Sequence, residues 1–188
     1  VLADHETGGM RVDAERAAAN LFPALSAQRE SSESFDEKLE RFRKGTARTF
    51  ERMAPLLAEC FGLRAPSPAE RAALEARAKK GDGAARTALL LALSEEELDE
   101  LRTAFAQSMR AKEQRKRDRD YLRRYGPYEP LSTTATRILN RKAGIEWSSF
   151  AHTGVDVPVF AQGAGAPLFA GEYDNSDVAG KLFSLIAP

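Results

Sequence analysis

A long stretch patterned for helix, from about Ser31 to Arg124, lies between two ends that read as extended. No other feature limits the fold so strongly. Phe35, Leu39, Phe42, Phe50, Met53, Leu57 and Phe61 fall near one face at the helical recurrence of about 3.6 residues. Pro55 lies inside this run and should kink or divide it. Ser67-Pro68-Ala69-Glu70 is a helix start, with serine as cap, proline at the first helical position and glutamate closing the box. That helix should end at Lys79-Lys80-Gly81, and a short one should follow with Leu89, Leu90 and Leu91. Ser94-Glu95-Glu96-Glu97 is a second capping box and opens what reads as the longest helix, with Leu98, Leu101, Phe105 and Met109 along one side. Its acidic start and its basic end, from Arg110 to Arg124, follow the helix macrodipole. Tyr125-Gly126-Pro127 stops it.

The ends differ. Residues 1–12 read as a short extended piece broken at Thr7-Gly8-Gly9, after which Asp13 caps a helix to about Leu21, before Pro23. Thr133 to Lys142 reads as an amphipathic helix ended by Gly144. Ile145 to Phe150 and Val157 to Ala161 read as strands, and Leu168-Phe169-Ala170 as one more. Asp174 to Asp177 then caps a last helix through Val178, Leu182 and Leu185. Extended ends around a helical middle predict an α/β fold: core residues 1–12 and 132–188, interrupted by a mostly α-helical insertion over 13–131. Val1-Leu2-Ala3 reads as the last residues of a buried strand, which predicts an incomplete domain and a C-terminal piece of a longer protein.

Charge and cysteine usage narrow the function classes. Twenty-eight basic residues balance twenty-eight acidic ones, so net charge gives no pull toward nucleic acid or an anionic membrane. The stretch Arg110 to Arg124 holds eight Lys/Arg against three acids. It could track a nucleic-acid backbone or lipid head groups, but a solvated helix end explains it more simply. Cys60 is the single cysteine, so no internal disulfide forms, and its place on the apolar side reads as inert packing. No run of about 18 apolar residues marks a transmembrane segment.

The two histidines carry the chemistry. His5 sits in Ala3-Asp4-His5-Glu6-Thr7-Gly8-Gly9, and His152 opens His152-Thr153-Gly154-Val155-Asp156-Val157-Pro158-Val159-Phe160. Imidazole and carboxylate are donors that zinc accepts. Successive strand residues point to opposite faces, so Asp4 and His5 reach one ion only if the backbone turns there, and Thr7-Gly8-Gly9 supplies the turn. His152 follows a predicted strand at a loop mouth, where α/β sheets bind ligands.

These phrases resemble the alkaline phosphatases. Leu139-Asn140-Arg141-Lys142-Ala143-Gly144-Ile145, Trp147, Gly163-Ala164-Gly165-Ala166, Leu168-Phe169-Ala170-Gly171 and Tyr173-Asp174-Asn175 continue the likeness over residues 1–12 and 132–188. The Asp-His pair alone is shared with phosphodiesterases, sulfatases and mutases; the His-Thr-Gly and Asp-Val-Pro-Val-Phe phrase is more particular. The resemblance implies hydrolysis of phosphate monoesters through a phosphoserine, with two zinc ions and a magnesium. Asp4 and His5 would bind the zinc that activates the serine, and His152 the zinc that takes the leaving oxygen. It implies no catalytic serine within this chain, and the remaining ligands, the phosphate-gripping arginine and the magnesium site also fall outside it. By ligand count the isolated chain should be inactive. A periplasmic or secreted location is implied too, and a homodimer of the intact enzyme is compatible with it.

Blander roles suit several neighbours. Glu6 and Asp156 read as turn caps or solvated loop carboxylates, Ser148 and Ser149 as hydroxyls without a base, and Trp147 as core. Two alternatives stay open: a phosphodiesterase or sulfatase-like member of the same superfamily, or a helical binding or oligomerisation module that makes no use of the metal phrases.

Overall fold

The structure is a computed structural model that describes residues 1–19 and 21–186. The chain gathers into two compact units, Arg11–Glu146 on the one hand and Val1–Met10 with Trp147–Pro188 on the other. Among the described residues there is a single two-stranded sheet, β1 (Met10–Val12) paired with β2 (Ile145–Trp147).

The larger unit is helical: α1 (Ala14–Ala18), α2 (Ser32–Arg43), α3 (Phe50–Phe61), α4 (Pro68–Lys79), α5 (Gly83–Leu90), α6 (Glu95–Ser108), α7 (Arg119–Tyr125) and α8 (Pro130–Lys142). Both capping boxes form, Ser67 with Glu70 and Ser94 with Glu97. The apolar positions read from periodicity supply the core: Phe35, Leu39, Met53, Leu57, Phe61 and Leu101 are essentially inaccessible, while Phe42, Phe50 and Met109 are partly buried against them. Helix α8 is the hub, packing on α2, α3, α6 and α7 through Leu131, Ile138 and Leu139. This unit closes on itself at its ends. The Asp13 amide donates to the Gly144 carbonyl at 2.8 Å, and Arg11 pairs with Glu146 at 2.9 Å.

A buried ionic knot ties four segments of the unit together. Glu129, the residue before α8, is only 7% exposed at its side chain. It accepts from Arg43 at 2.6 Å and from both terminal nitrogens of Arg115 at 3.1 Å. The same two arginines donate to the Ser108 carbonyl at the end of α6. Buried charges persist when paired and hydrogen-bonded on every side, and here the knot fixes where α6 ends.

Three helical expectations change. The helix opening at Ser94 stops at Ser108 rather than Arg124. The chain then passes through a 3-10 turn at Lys112–Gln114 and restarts at Asp118, whose carboxylate caps α7 at Tyr121. Pro55 does not divide α3, which runs through it; the break comes earlier, between Arg43 and Phe50. Proline removes one donor, and since Pro55 is exposed, water can serve the Glu51 carbonyl left without it. Helix α8 begins at Pro130, three residues before the expected start.

The smaller unit holds a 3-10 turn at Ala166–Phe169 and α9 (Asp177–Ile186). Its expected strands are the main correction to the α/β reading. Only Ile145–Trp147 pairs as a strand; residues 157–161 form no ladder, and 168–170 fall largely in the 3-10 turn. Pro158 lacks an amide to donate, and extended segments of this length need a partner on at least one edge. Val1 and Phe160 make a lone backbone pair, the Phe160 amide donating to the Val1 carbonyl at 2.8 Å. Gly8 is the only buried residue among those described here. Trp147, expected in the core, covers Gly8 while 37% exposed. No helix among the described residues is long and apolar enough to cross a membrane.

Candidate metal centre

The turn after Asp4-His5 is built by Glu6. Its carboxylate accepts from the amides of Gly8 at 2.8 Å, Gly9 at 2.7 Å and Met10 at 3.3 Å, and from the Thr153 hydroxyl. Those donors, the Thr153 hydroxyl foremost, hold its pKa down to about 2, because hydrogen bonds to a carboxylate favour its charged form. Glycine is required twice in this loop. Gly8 (φ +146°) lies against Trp147, where a Cβ would approach ring carbon Cε3 to 2.9 Å, and a Cβ on Gly9 (φ +62°) would run into the Ser148 hydroxyl.

The Glu6 to Thr153 contact is also an antiparallel backbone bridge, and it sets the histidine phrases side by side. The His5 and His152 rings stack with centroids 3.7 Å apart and planes inclined by 28°. Asp4 Oδ2 lies 3.3 Å from His5 Nε2, and Asp4 Oδ1 accepts the His5 amide at 3.1 Å. The structure therefore brings all three sequence-predicted residues together. Asp4 is well exposed, His5 partly covered and His152 exposed.

The donor geometry can be compared with what a zinc ion needs. His5 Nδ1 faces the Glu6 carbonyl at 3.1 Å; since that oxygen only accepts, the contact suits the tautomer with its proton on Nδ1, in which Nε2 keeps its lone pair. That lone pair meets the Asp4 carboxylate, so two acceptors face one another and call for a cation between them, either a proton or a metal. Two donors on a tetrahedral zinc, with bonds of about 2.0–2.1 Å, lie roughly 3.3 Å apart, the separation found. Imidazole lone pairs lie in the ring plane. Rings stacked with so small an inclination do not converge within a bond length, so His5 and His152 as ligands would serve different ions. By donor type and spacing the residues fit zinc. By number they do not complete a site, because zinc takes three or four protein ligands. Among the described residues no group of three His, Cys, Asp or Glu side chains is arranged to hold a metal.

The neighbours have other work. Glu6 spends its oxygens on the turn, and Asp156 is exposed. Ser148 leans on the Gly8 carbonyl at 3.4 Å, while Ser149 is engaged with Ala151. Sequence reasoning missed the Glu6–Thr153 latch; the one signal was a hydroxyl next to the second histidine.

A sequence model of the alkaline phosphatase family matches residues 1–187, and the chain belongs to that family. It is 34% identical over 56 residues to alkaline phosphatase 3 of Bacillus subtilis, covering 30% of this chain, and 36% identical over 55 residues to alkaline phosphatase 4 of the same organism, covering 29%. The matching part spans 12% of the length of each of these relatives. No solved structure matches the chain.

Proposed function

We propose that this chain supplies Asp4, His5 and His152 to the two-zinc centre of an alkaline phosphatase that hydrolyses phosphate monoesters through a phosphoserine. Asp4 and His5 hold one ion and His152 the other. On this reading the nucleophilic serine, the magnesium ligands and the remaining zinc ligands come from outside these 188 residues. The observation that supports the reading most is the cluster itself: stacked imidazoles with a carboxylate 3.3 Å from the first, in a chain that has only these two histidines.

When bound, the two zinc ions would supply electrostatic stabilisation of the attacking and leaving oxygens. The chain's own contribution is positioning. Glu6 and Thr153 lock the turn, the Glu6 carbonyl fixes the His5 tautomer, and Asp4 brings the negative charge that favours a cation. In this reading residues 1–12 and 132–188 belong to the catalytic α/β core and 13–131 to an insertion. The intact enzyme is periplasmic or secreted and works as a homodimer.

The test uses the longer protein that carries this sequence, loaded with zinc and magnesium and assayed on a chromogenic phosphate monoester, a diester and a sulfate ester. Monoester turnover should exceed the other two, and His152→Ala should lose both activity and about one zinc per chain. Full activity and zinc content in His152→Ala would remove the residue from the centre; faster diester or sulfate turnover would move the enzyme to another branch of the superfamily. The 188-residue chain alone should hydrolyse none of the three.

A further inference from the structure

The segment from Arg110 to Tyr128 carries charge that the fold does not use. Residues 110–124 hold eight Lys/Arg against Glu113, Asp118 and Asp120, in a chain whose net charge is zero. Helix α6 ends at Ser108, ahead of the first of these cations. The macrodipole acts only over the last turn, so it does not account for them. Arg115 is explained by its buried bond to Glu129. Arg123 and Arg124 suit the last turn of α7, but Arg119 stands at its first position, where a cation is disfavoured. Lys116 and Arg123 have acids at 3.6 and 3.8 Å in fully wet pairs, which are worth little. Lys112, Arg117, Arg119 and Arg124 form no ion pair among the described residues.

The segment is held firmly while its cations point outward. Tyr121 and Tyr125 are buried on one side of α7 in edge-to-face contact at 5.0 Å, and Arg115 pins the preceding turn. The opposite side presents Arg119, Leu122 and Arg123, which share a face at helical spacing. Leu122 is 43% exposed between the two arginines, and Tyr128 beyond the helix is 57% exposed.

We propose that this face docks the helical unit on an anionic phospholipid surface. Its cations meet the head groups, and Leu122 enters the boundary between head groups and acyl chains. A nucleic-acid backbone would answer the cations equally well but gives Leu122 nothing to pack against. The proposal is independent of the phosphatase reading.

Sedimentation of the full chain with vesicles tests it. Phosphatidylcholine vesicles containing about one-third phosphatidylglycerol should bind the chain, and pure phosphatidylcholine should not. Raising salt from about 0.05 M to about 0.5 M should lower binding at least tenfold, as screening requires. Arg117→Glu with Arg119→Glu should lower it about tenfold, and Leu122→Ser several-fold, with far-UV circular dichroism unchanged. Equal binding to both vesicle types, or no binding at low salt, would overturn the proposal. Salt-insensitive binding would place the contact on the exposed apolar residues of α9 and overturn it as well. Tighter, competing binding of a duplex oligonucleotide would make the face a nucleic-acid surface instead.

Discussion

Removing the Glu129 carboxylate should unfold the helical unit far below its normal melting temperature. Glu129→Ala deletes three charged hydrogen bonds, one to Arg43 at 2.6 Å and two to Arg115 at 3.1 Å. The two guanidiniums fare differently afterwards. Arg43 keeps Glu40 at 2.6 Å, an acid that is 53% exposed, while Arg115, 4% exposed, keeps neutral partners, the carbonyls of Arg110 and Ser108 and the Tyr121 side chain. Breaking a buried pair by removing one partner costs about 3–5 kcal/mol, and with one arginine still paired a value near 4 kcal/mol is expected. For a domain of this size that is a fall of about 8–16 °C in melting temperature. Far-UV circular dichroism of a thermal ramp measures it. Glu40→Ala is the control: it removes a wet ion pair of Arg43, worth under about 1 kcal/mol. A Glu129→Ala melt within about 3 °C of the parent chain would mean that the knot adds little, and that α6 ends at Ser108 for another reason.

Three further outcomes follow from the same contacts. The Glu6 carboxyl should titrate near 2 in a carbon-detected NMR titration; since its pKa is depressed, the stability it lends the turn is complete above about 4.5 and is lost as pH falls toward 2. Gly9→Ala forces an alanine into a left-handed conformation, at about 1–2 kcal/mol, and against Ser148; the upfield ring-current shifts expected of the stacked His5 and His152 protons should collapse, and their survival would refute the role given to this turn. Asp36, whose pKa burial raises against the opposing Ser132 hydrogen bond, keeps its Oδ1 buried without a partner. Asp36→Asn should therefore raise the melting temperature at neutral pH, with the gain disappearing by about pH 3.5, where the native carboxyl is already protonated.

The helical unit was readable because its signals are local. A serine cap three residues before a glutamate satisfies helix donors without help from elsewhere, and Ser67 and Ser94 cap as expected. Leu39, Met53 and Leu101 are buried where periodicity places them. The misreadings fall where a distant residue decides. Nothing between Ser94 and Arg124 announces a stop at Ser108 by itself, because there Arg115 acts together with Arg43, which reaches the same carbonyl from 65 positions away. Of the strands expected after Gly144, Ile145–Trp147 forms because β1 pairs with it, while 157–161 and 168–170 do not form for the same reason: a strand exists only with a partner, and alternation within one segment cannot supply it.

The candidate centre divides along the same line. Its donor types and the need for a glycine turn were legible at Asp4-His5 and Gly8-Gly9, since ligand chemistry and left-handed backbone are properties of single residues. The pairing of the histidines was not. It depends on Glu6 meeting Thr153 across 147 positions of sequence, and a glutamate beside a glycine turn looks the same whether it caps that turn alone or also holds a second segment. The latch carries a consequence for the metal reading. If Glu6 acts by position, Glu6→Gln should weaken zinc binding by the intact enzyme about 10–100-fold, the range for a residue that orients a ligand, without removing a ligand from either ion. Zinc stoichiometry and affinity measured together decide between the roles. A lower stoichiometry in Glu6→Gln would make Glu6 a ligand itself, and unchanged affinity would show that the turn holds without it.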